Sequence, residues 1–385
     1  SELSMSFESP PPEESLASIY DSLSNNDPTR THVEIYGEDL RGNGTGGLTS
    51  LAALLRPNEH VKHVLLQQCT VDVEGMMALG EILRVNKKLQ SLSLNEVSGI
   101  DNAGITFLME GLLHNSSVQM LSLEELGIGP FGCLPIMQVL KKNKSVTEIS
   151  LNGNPLGDGG LALAKGLLEN QTIQEFTMVS CEITTPVACS IFQVLSKNST
   201  SSLMMLDLSV NCLDDEIAVD LENLFLSNKT LRCLSINENN LGPITMKAIT
   251  SSLRINKSIQ CMSMISNRFG VEGAKILGQN LEHFRGIISI GVSQNGMGEE
   301  GLRYVLKGLE KNRSIVHARI GAEDDIPCAM YQAARFYERR NRVGWKLLEN
   351  SATPVALWPV VFSKLGSDVY LTNFFVKERP SLFSR

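Results

Sequence analysis

Seven carboxylates recur at matching places in a repeated pattern: Glu96, Glu124, Glu125, Glu148, Glu175, Asp207 and Glu238. Acids gathered without counter-charges attract a basic surface and raise its local concentration. No Lys or Arg joins them at the matching positions of the second to ninth copies of the pattern. Basic character appears there only at the ends, with His32 and His63 early and His317 and Arg319 late. The lysines and arginines fall elsewhere, at Lys87, Lys88, Lys141, Lys142, Lys197, Arg254 and Lys311. Those are expected helix ends, where a cation complements the helix dipole. Two readings remain open: a site for a basic protein partner, or an acidic face that is merely solvated.

Other chemistry finds little support. The six histidines include no His-Glu-x-x-His, and no nucleophile elbow, phosphate loop or kinase signature is present. The chain therefore reads as non-enzymatic, and no pattern calls for a metal or cofactor. None of the eight cysteines is spaced as Cys-x-x-Cys, so neither a zinc nor a disulfide framework is expected. Cys233 and Cys261 take equivalent positions in adjacent copies and read as two reduced surface thiols. Asn115, Asn143, Asn170, Asn228, Asn256 and Asn312 each open an Asn-x-Ser/Thr string. Each precedes an expected strand, where Asn can end a helix in the left-handed conformation. That structural role accounts for all six better than glycosylation does.

The element that must position these residues is a repeat. Val61-x-x-Val64-x-Leu66-x-x-Cys69-x-Val71 returns from Leu89, Val118, Val146, Ile173, Leu203, Leu231, Ile259 and Ile287, and begins again at Ile315. The steps are 28, 29, 28, 27, 30, 28, 28, 28 and 28 residues. A drifted copy precedes them, with Val33, Ile35 and Leu40 in register. In the copy from Val146, residues 147–151 alternate as a half-buried strand does. Asn154 and Leu156 turn the chain, and the glycines at 157, 159 and 160 let it reverse. Leu161, Ala164, Leu167 and Leu168 then mark an apolar helical face, and Asn170 ends the helix. Cys69 and Cys181 fill the Asn/Cys position, expected to satisfy the turn amides.

This string, with a helix and a strand in every 28 to 29 residues, resembles the ribonuclease-inhibitor class of leucine-rich repeats over residues 30–320. The resemblance implies an α/β solenoid, a horseshoe with a parallel sheet on its concave face and helices on its convex face. Small side chains (Ser93, Ser122, Ser150, Thr177, Asp207, Ser235, Ser263) would line one shallow lane of that sheet, with the carboxylates beside it. A single repeat cannot bury its own apolar face, so stacked neighbours must do so.

Residues 1–29 read as a flexible arm with a capping helix at Ser15–Leu23, residues 30–326 as the solenoid, and residues 327–385 as a helical cap or docking module. The last segment holds Trp345 and Trp358 and five of the thirteen phenylalanines. Helices are expected at 327–349, 354–364 and 368–376, the first with a basic face of Arg335, Arg339, Arg340, Arg342 and Lys346. Its strings Arg340-Asn-Arg, Leu357-Trp358-Pro359 and Asp368-Val369 resemble the tails of uncharacterised algal leucine-rich-repeat proteins.

The net charge is −8 and the pI about 5.4. Nucleic acid is excluded as the main partner, because phosphate binding needs a basic surface. The longest apolar runs fall short of a membrane span. The first residues lack the basic and apolar segments of a secretory signal, and the absence of an initial Met leaves room for an upstream piece. An intracellular protein, cytoplasmic or nuclear, and monomeric, is expected. It would act as a protein-interaction scaffold. The repeats are also similar to those of Ran GTPase-activating proteins, which implies a regulator of a small GTPase as an alternative. A ubiquitin-ligase substrate receptor is a third.

Overall fold

Alternation decides the strands. In Met120–Glu124, Leu121 and Leu123 are buried while Met120, Ser122 and Glu124 face solvent. The same two-residue period repeats down the chain, as a pleated strand with one covered face requires. The computed structural model describes residues 14–42, 44, 46–321, 327–343, 363–364, 371–372, 374 and 377. They divide into two units, one running to Glu182 with Thr200–Leu203, the other Ile183–Ser199 with the chain from Met204 onward.

The first unit alternates helices and strands: α1 (Leu16–Ser24), β1 (His32–Tyr36), α2 (Leu48–Leu55), β2 (His63–Gln67), α3 (Val73–Val85), β3 (Ser91–Asn95), α4 (Asn102–Leu113), β4 (Met120–Glu124), α5 (Cys133–Lys142), β5 (Glu148–Ser150), α6 (Gly160–Glu169) and β6 (Glu175–Thr177). Its strands pair in parallel with their sequence neighbours. The second unit continues with α7 (Thr185–Lys197), β7 (Met205–Asp207), α8 (Ala218–Ser227), β8 (Cys233–Ser235), α9 (Pro243–Leu253), β9 (Cys261–Ser263), α10 (Gly270–Asn280), β10 (Ser289–Gly291), α11 (Gly298–Lys311), β11 (His317–Arg319) and α12 (Cys328–Arg342). β7 to β11 again pair in parallel, in order. In each unit the helices pack against one another and the apolar strand residues fill the space beneath them. Leu66, Leu94, Leu123 and Leu151 in the first unit, and Leu208, Ile236, Met264 and Val292 in the second, are completely buried. The α6 face differs from the expected one. Leu163, Ala164 and Leu167 are buried, whereas Leu161 and Leu168 face out. The buried stripe of Gly160, Leu163, Ala164 and Leu167 keeps the i, i+3, i+4, i+7 spacing, and Leu161 and Leu168 each fall one residue past it.

The strand-to-helix turn places a left-handed residue at the same position in successive repeats. Gln68, Glu96, Glu125, Gly153 and Ser180 in the first unit have φ of 56°, 55°, 55°, 70° and 55°. Val210, Glu238, Ser266 and Gln294 do the same in the second, at 56°, 50°, 55° and 55°. A non-glycine residue pays about 1–2 kcal/mol for this conformation. An inter-repeat hydrogen bond offsets that cost. The amides of Glu96, Glu125 and Glu238 donate to the carbonyls of Glu124, Asn152 and Ile265 in the next repeat, at 2.8, 2.9 and 2.8 Å.

The asparagines before the strands work differently from the expectation. Asn143, Asn170, Asn228 and Asn312 are extended, with φ from −76° to −70° and ψ from 136° to 146°. They end helices through their side chains. Asn143 Oδ1 accepts from the amides of Ser145 and Val146, both at 2.8 Å, starting the next strand. Its Nδ2 donates back to Leu112 O at 2.7 Å, an unpaired carbonyl at the end of the preceding helix. Asn86, Asn115 and Asn170 repeat this in the first unit, reaching Leu55, Leu83 and Leu140. Asn228, Asn256 and Asn312 reach Leu195, Phe225 and Leu281 in the second. All six acceptor-string asparagines are buried, and their amide nitrogens are engaged, which leaves no atom for a glycan. Asn58 is the first rung: its Oδ1 accepts from Val61 N, while its buried Nδ2 has no hydrogen-bond partner among the described residues. Replacing Asn143 with alanine should lower stability by about 1–3 kcal/mol, because buried backbone groups lose their partners. Urea unfolding checks this, and an unchanged midpoint would show the rung to be idle.

The cysteines at the turn position also act otherwise than expected. Cys181 Sγ donates to the carbonyls of Leu151 and Val179 at 3.1 and 3.4 Å, and Cys69 to those of Ile35 and Gln67. Asn154 both donates to Leu123 and Leu151 and accepts from the amides of Leu126 and Ile128. A thiol is mainly a donor here, so it satisfies carbonyls and leaves the amides to others.

Each unit's outer helix is tied down by polar side chains. In the first, Ser15 caps α1, accepting from Ser18 N, and the Tyr20 hydroxyl donates to the carbonyls of Gly46 and Gly47 at 3.1 and 2.9 Å. Burial pushes the Tyr20 phenol up to about 12. In the second, α12 lies beside α11 and β11. Arg340, 2% exposed, donates to the carbonyls of Leu309, Glu310 and Asn312 at 3.2, 2.8 and 2.8 Å. Arg340 is thus removed from the basic face expected of this helix, whereas Arg335, Arg339 and Arg342 remain exposed. Glu338 accepts from the Ala318 amide of β11 at 2.5 Å and pairs with Arg335. Asn341 donates to Ile315 O at 2.7 Å. Phe374 meets Phe336 edge to face at 5.4 Å. Trp345, Trp358 and Lys346 lie outside the described residues, as do most of the two helices expected after residue 350.

Candidate functional site

The solvent-facing strand residues form lanes set by register. In the first unit the leading lane runs His32, His63, Ser91, Met120, Glu148, Glu175, and the middle lane Glu34, Leu65, Ser93, Ser122, Ser150, Thr177. In the second unit they run Met205, Cys233, Cys261, Ser289, His317 and Asp207, Ser235, Ser263, Gly291, Arg319. The small-residue lane read from the sequence is therefore real in each unit. Its hydroxyls are linked laterally: Thr177 Oγ1 donates to Ser150 Oγ at 3.0 Å, and Ser122 Oγ to Asn95 Oδ1 at 2.8 Å.

The seven carboxylates occupy four different settings. Glu148 and Glu175 are register partners in the leading lane of β5 and β6. The Glu148 carboxyl is pushed above its usual value, first by burial and then by the Glu175 charge. Glu124 ends β4 in a third lane and already accepts from Ser150 Oγ and Asn152 Nδ2, the latter at 3.1 Å. Glu96, Glu125 and Glu238 are not strand residues. They occupy the left-handed turn position and are exposed. Glu96 accepts from Gln68 Nε2 at 2.9 Å. Glu125 lies across Gly153, where any Cβ would approach its Cγ to 2.4 Å, so the glycine makes room for the acid. Asp207 stands in the middle lane of the second unit and accepts from Ser209 N at 2.9 Å. Five of the seven belong to the first unit, and only Glu148 and Glu175 stand side by side on its strands. Alternation in the sequence could not separate a turn position from a strand position, because the strands shorten from five residues to three along the chain.

The histidines in the leading lane of β1 and β2 stack. The His32 and His63 rings lie 4.5 Å apart and 17° from parallel. His63 is held below the ordinary imidazole value by burial, then by His32 and Lys62. Two imidazoles in face contact do not converge on one ion, and no group of three or more His, Cys, Asp or Glu among the described residues could hold a metal. Among those residues, no helix is long and apolar enough to cross a membrane.

Sequence reasoning missed the state of Cys261. Its thiol is pulled down to about 7 by a hydrogen bond from Cys233, against the upward push of burial. The 28-residue separation of the two cysteines was visible, but the effect of one thiol on the other needs the register.

Residues 142–163 match the family model described as Leucine Rich repeat. Ribonuclease inhibitor of Mus musculus is 32% identical over 181 residues, which cover 46% of this chain and 39% of that protein. NACHT, LRR and PYD domains-containing protein 14 of Homo sapiens is 26% identical over 255 residues, 58% of this chain and 23% of that protein. An internalin structure from Listeria monocytogenes covers 82% of this chain and 86% of its own, with 12% identity and a TM-score of 0.45. The chain spans 39% and 23% of the length of the two curated relatives. Parallel strands in sequence order, a helix in every step, the family match and the likeness to ribonuclease inhibitor together identify the repeats as leucine-rich repeats of ribonuclease-inhibitor-like architecture.

Proposed function

We propose that this protein is a non-enzymatic scaffold that binds a basic protein partner on the strand face of its first unit, inside the cell and as a monomer. The observation that carries the reading is the pairing of Glu148 with Glu175 on adjacent strands. Two like charges in register repel, and the Glu148 carboxyl is raised first by burial and then by the Glu175 charge. No Lys or Arg stands in the leading, middle or third lane of β2 to β6 to relieve it. A cation brought by a partner would. Glu124, Glu96 and Glu125 extend the negative field on the same unit, and Asp207 and Glu238 supply acids on the second. The likeness to ribonuclease inhibitor, whose name states that it acts on another protein, supports a protein as the ligand.

The test begins with partners captured by the full chain and continues with a purified one. Glu148→Lys combined with Glu175→Lys is expected to abolish binding; Glu175 is exposed and Glu148 half-buried, so circular dichroism of the double variant checks that the fold is intact. Added salt should weaken the wild-type complex, because exposed charges are screened beyond about 8 Å at physiological ionic strength. Acidification should act in the same direction. Glu148 has a raised pKa, so it is neutralised earlier than an ordinary carboxylate as pH falls, and attraction to the partner fades from that point. A partner indifferent to the double reversal and to salt would refute this face as the site.

A further inference from the structure

The leading lane of the second unit carries sulfur on three consecutive strands. Met205 on β7, Cys233 on β8 and Cys261 on β9 are register partners. All three are partly exposed and lie on the same face. We propose that they form a site for a soft monovalent cation of the copper(I) class, with the two thiolates as its main ligands and the Met205 thioether as a third. Thiolate and thioether are the donors that select such an ion over harder ones.

Strand geometry favours a bridging ion over a direct sulfur–sulfur bond. Neighbouring strands lie about 4.8 Å apart. In-register side chains that rise side by side keep a similar separation, whereas a disulfide needs its β-carbons about 3.5–4.5 Å apart. Two metal–sulfur bonds of about 2.3 Å, the length of a zinc–thiolate bond, span about 4.6 Å when collinear. The pair is therefore spaced for an ion held between the two thiolates, with the Met205 thioether as a weaker third ligand. Neither cysteine is in a disulfide. Binding exchanges two thiol protons for one cation. The protons pass to buffer, and no electron is transferred. The site lies on the second unit and is independent of the Glu148–Glu175 pair.

The experiment uses the full chain, reduced and free of oxygen, titrated with copper(I) supplied as its bicinchoninate complex. One ion per monomer is expected, with two or three sulfur neighbours by X-ray absorption. Cys261→Ser should weaken binding by more than the ~100-fold upper range for loss of a supporting residue, and Met205→Leu by about tenfold. Cys212→Ser with Cys328→Ser removes the two exposed cysteines elsewhere and should leave the affinity unchanged. Circular dichroism confirms that each variant is folded, and the volume-conserving Met205→Leu serves if a serine variant is not. The proposal is overturned if folded Cys233→Ser/Cys261→Ser retains wild-type affinity, if one ion bridges two chains, or if Met205→Leu leaves both affinity and sulfur count unchanged.

Discussion

Replacing Arg340 with alanine is expected to destabilise the second unit by about 1.5–3 kcal/mol, the range for hydrogen bonds made by a charged group. Arg340 is almost wholly buried and donates to three carbonyls, Leu309 O, Glu310 O and Asn312 O, around the end of α11. The guanidinium also lies 5.1 Å from the Tyr337 ring centroid. Alanine would take the charged donor from those carbonyls, leaving Leu309 O with the Asn312 amide and Glu310 O and Asn312 O with the Arg313 guanidinium, and would remove a cation from the negative end of a helix. The exposed neighbour supplies the control: Arg339→Ala should change stability by under about 0.5 kcal/mol. Guanidinium unfolding of both variants separates the cases. Equal midpoints for Arg340→Ala and wild type would show that α12 does not hold α11.

Leu208→Ala should lower the stability of the same unit by about 2–5 kcal/mol, and Leu151→Ala that of the first by a similar amount. Both side chains are fully buried. Their backbones leave no room for a compensating shift. Leu208 N donates to Ser235 O at 2.9 Å, and Leu208 O accepts from the side chains of Asn211 and Asn239. Leu151 is pinned in the same way by Thr177, Asn154 and Cys181. A backbone fixed on both sides cannot collapse into the space that the missing methyl groups leave. Chemical denaturation measures the loss, and a neutral result at either position would mean that the assigned strand register is wrong.

The strands and their order were legible because the pattern is redundant. Each apolar pair such as Leu121 and Leu123 states its own face, and ten nearly equal repeats state the same stacking. The lanes followed from the register without any further information. Polar side chains with two possible jobs were less legible. The type of Asn143 is equally consistent with a left-handed backbone and with a side chain bridging two repeats. Only the carbonyl of Leu112, 31 residues earlier, decides between them. Arg340 reads as one more charge in a basic helix until its separation from Leu309 is noticed. That separation is also 31 residues, so the arginine stands where earlier repeats place an asparagine. For the acids, sequence located the face and the Glu148–Glu175 neighbours. It could not show that Glu124 Oε1 accepts from both Ser150 and Asn152, or that Glu96, Glu125 and Glu238 serve the turn.

The asparagine rungs bear on how such a chain can change length. Within a unit, each rung reads its own next two or three residues and a carbonyl about 31 residues behind. Neither link depends on which repeat it is. Duplication or loss of a segment that runs from one rung to the next would present every remaining asparagine with an equivalent carbonyl. A segment of any other length would set an amide against the wrong backbone group. Growth and shrinkage by whole repeats is therefore the inexpensive route for genetic change here, and the 27- to 30-residue steps mark the only increments that the ladder accepts.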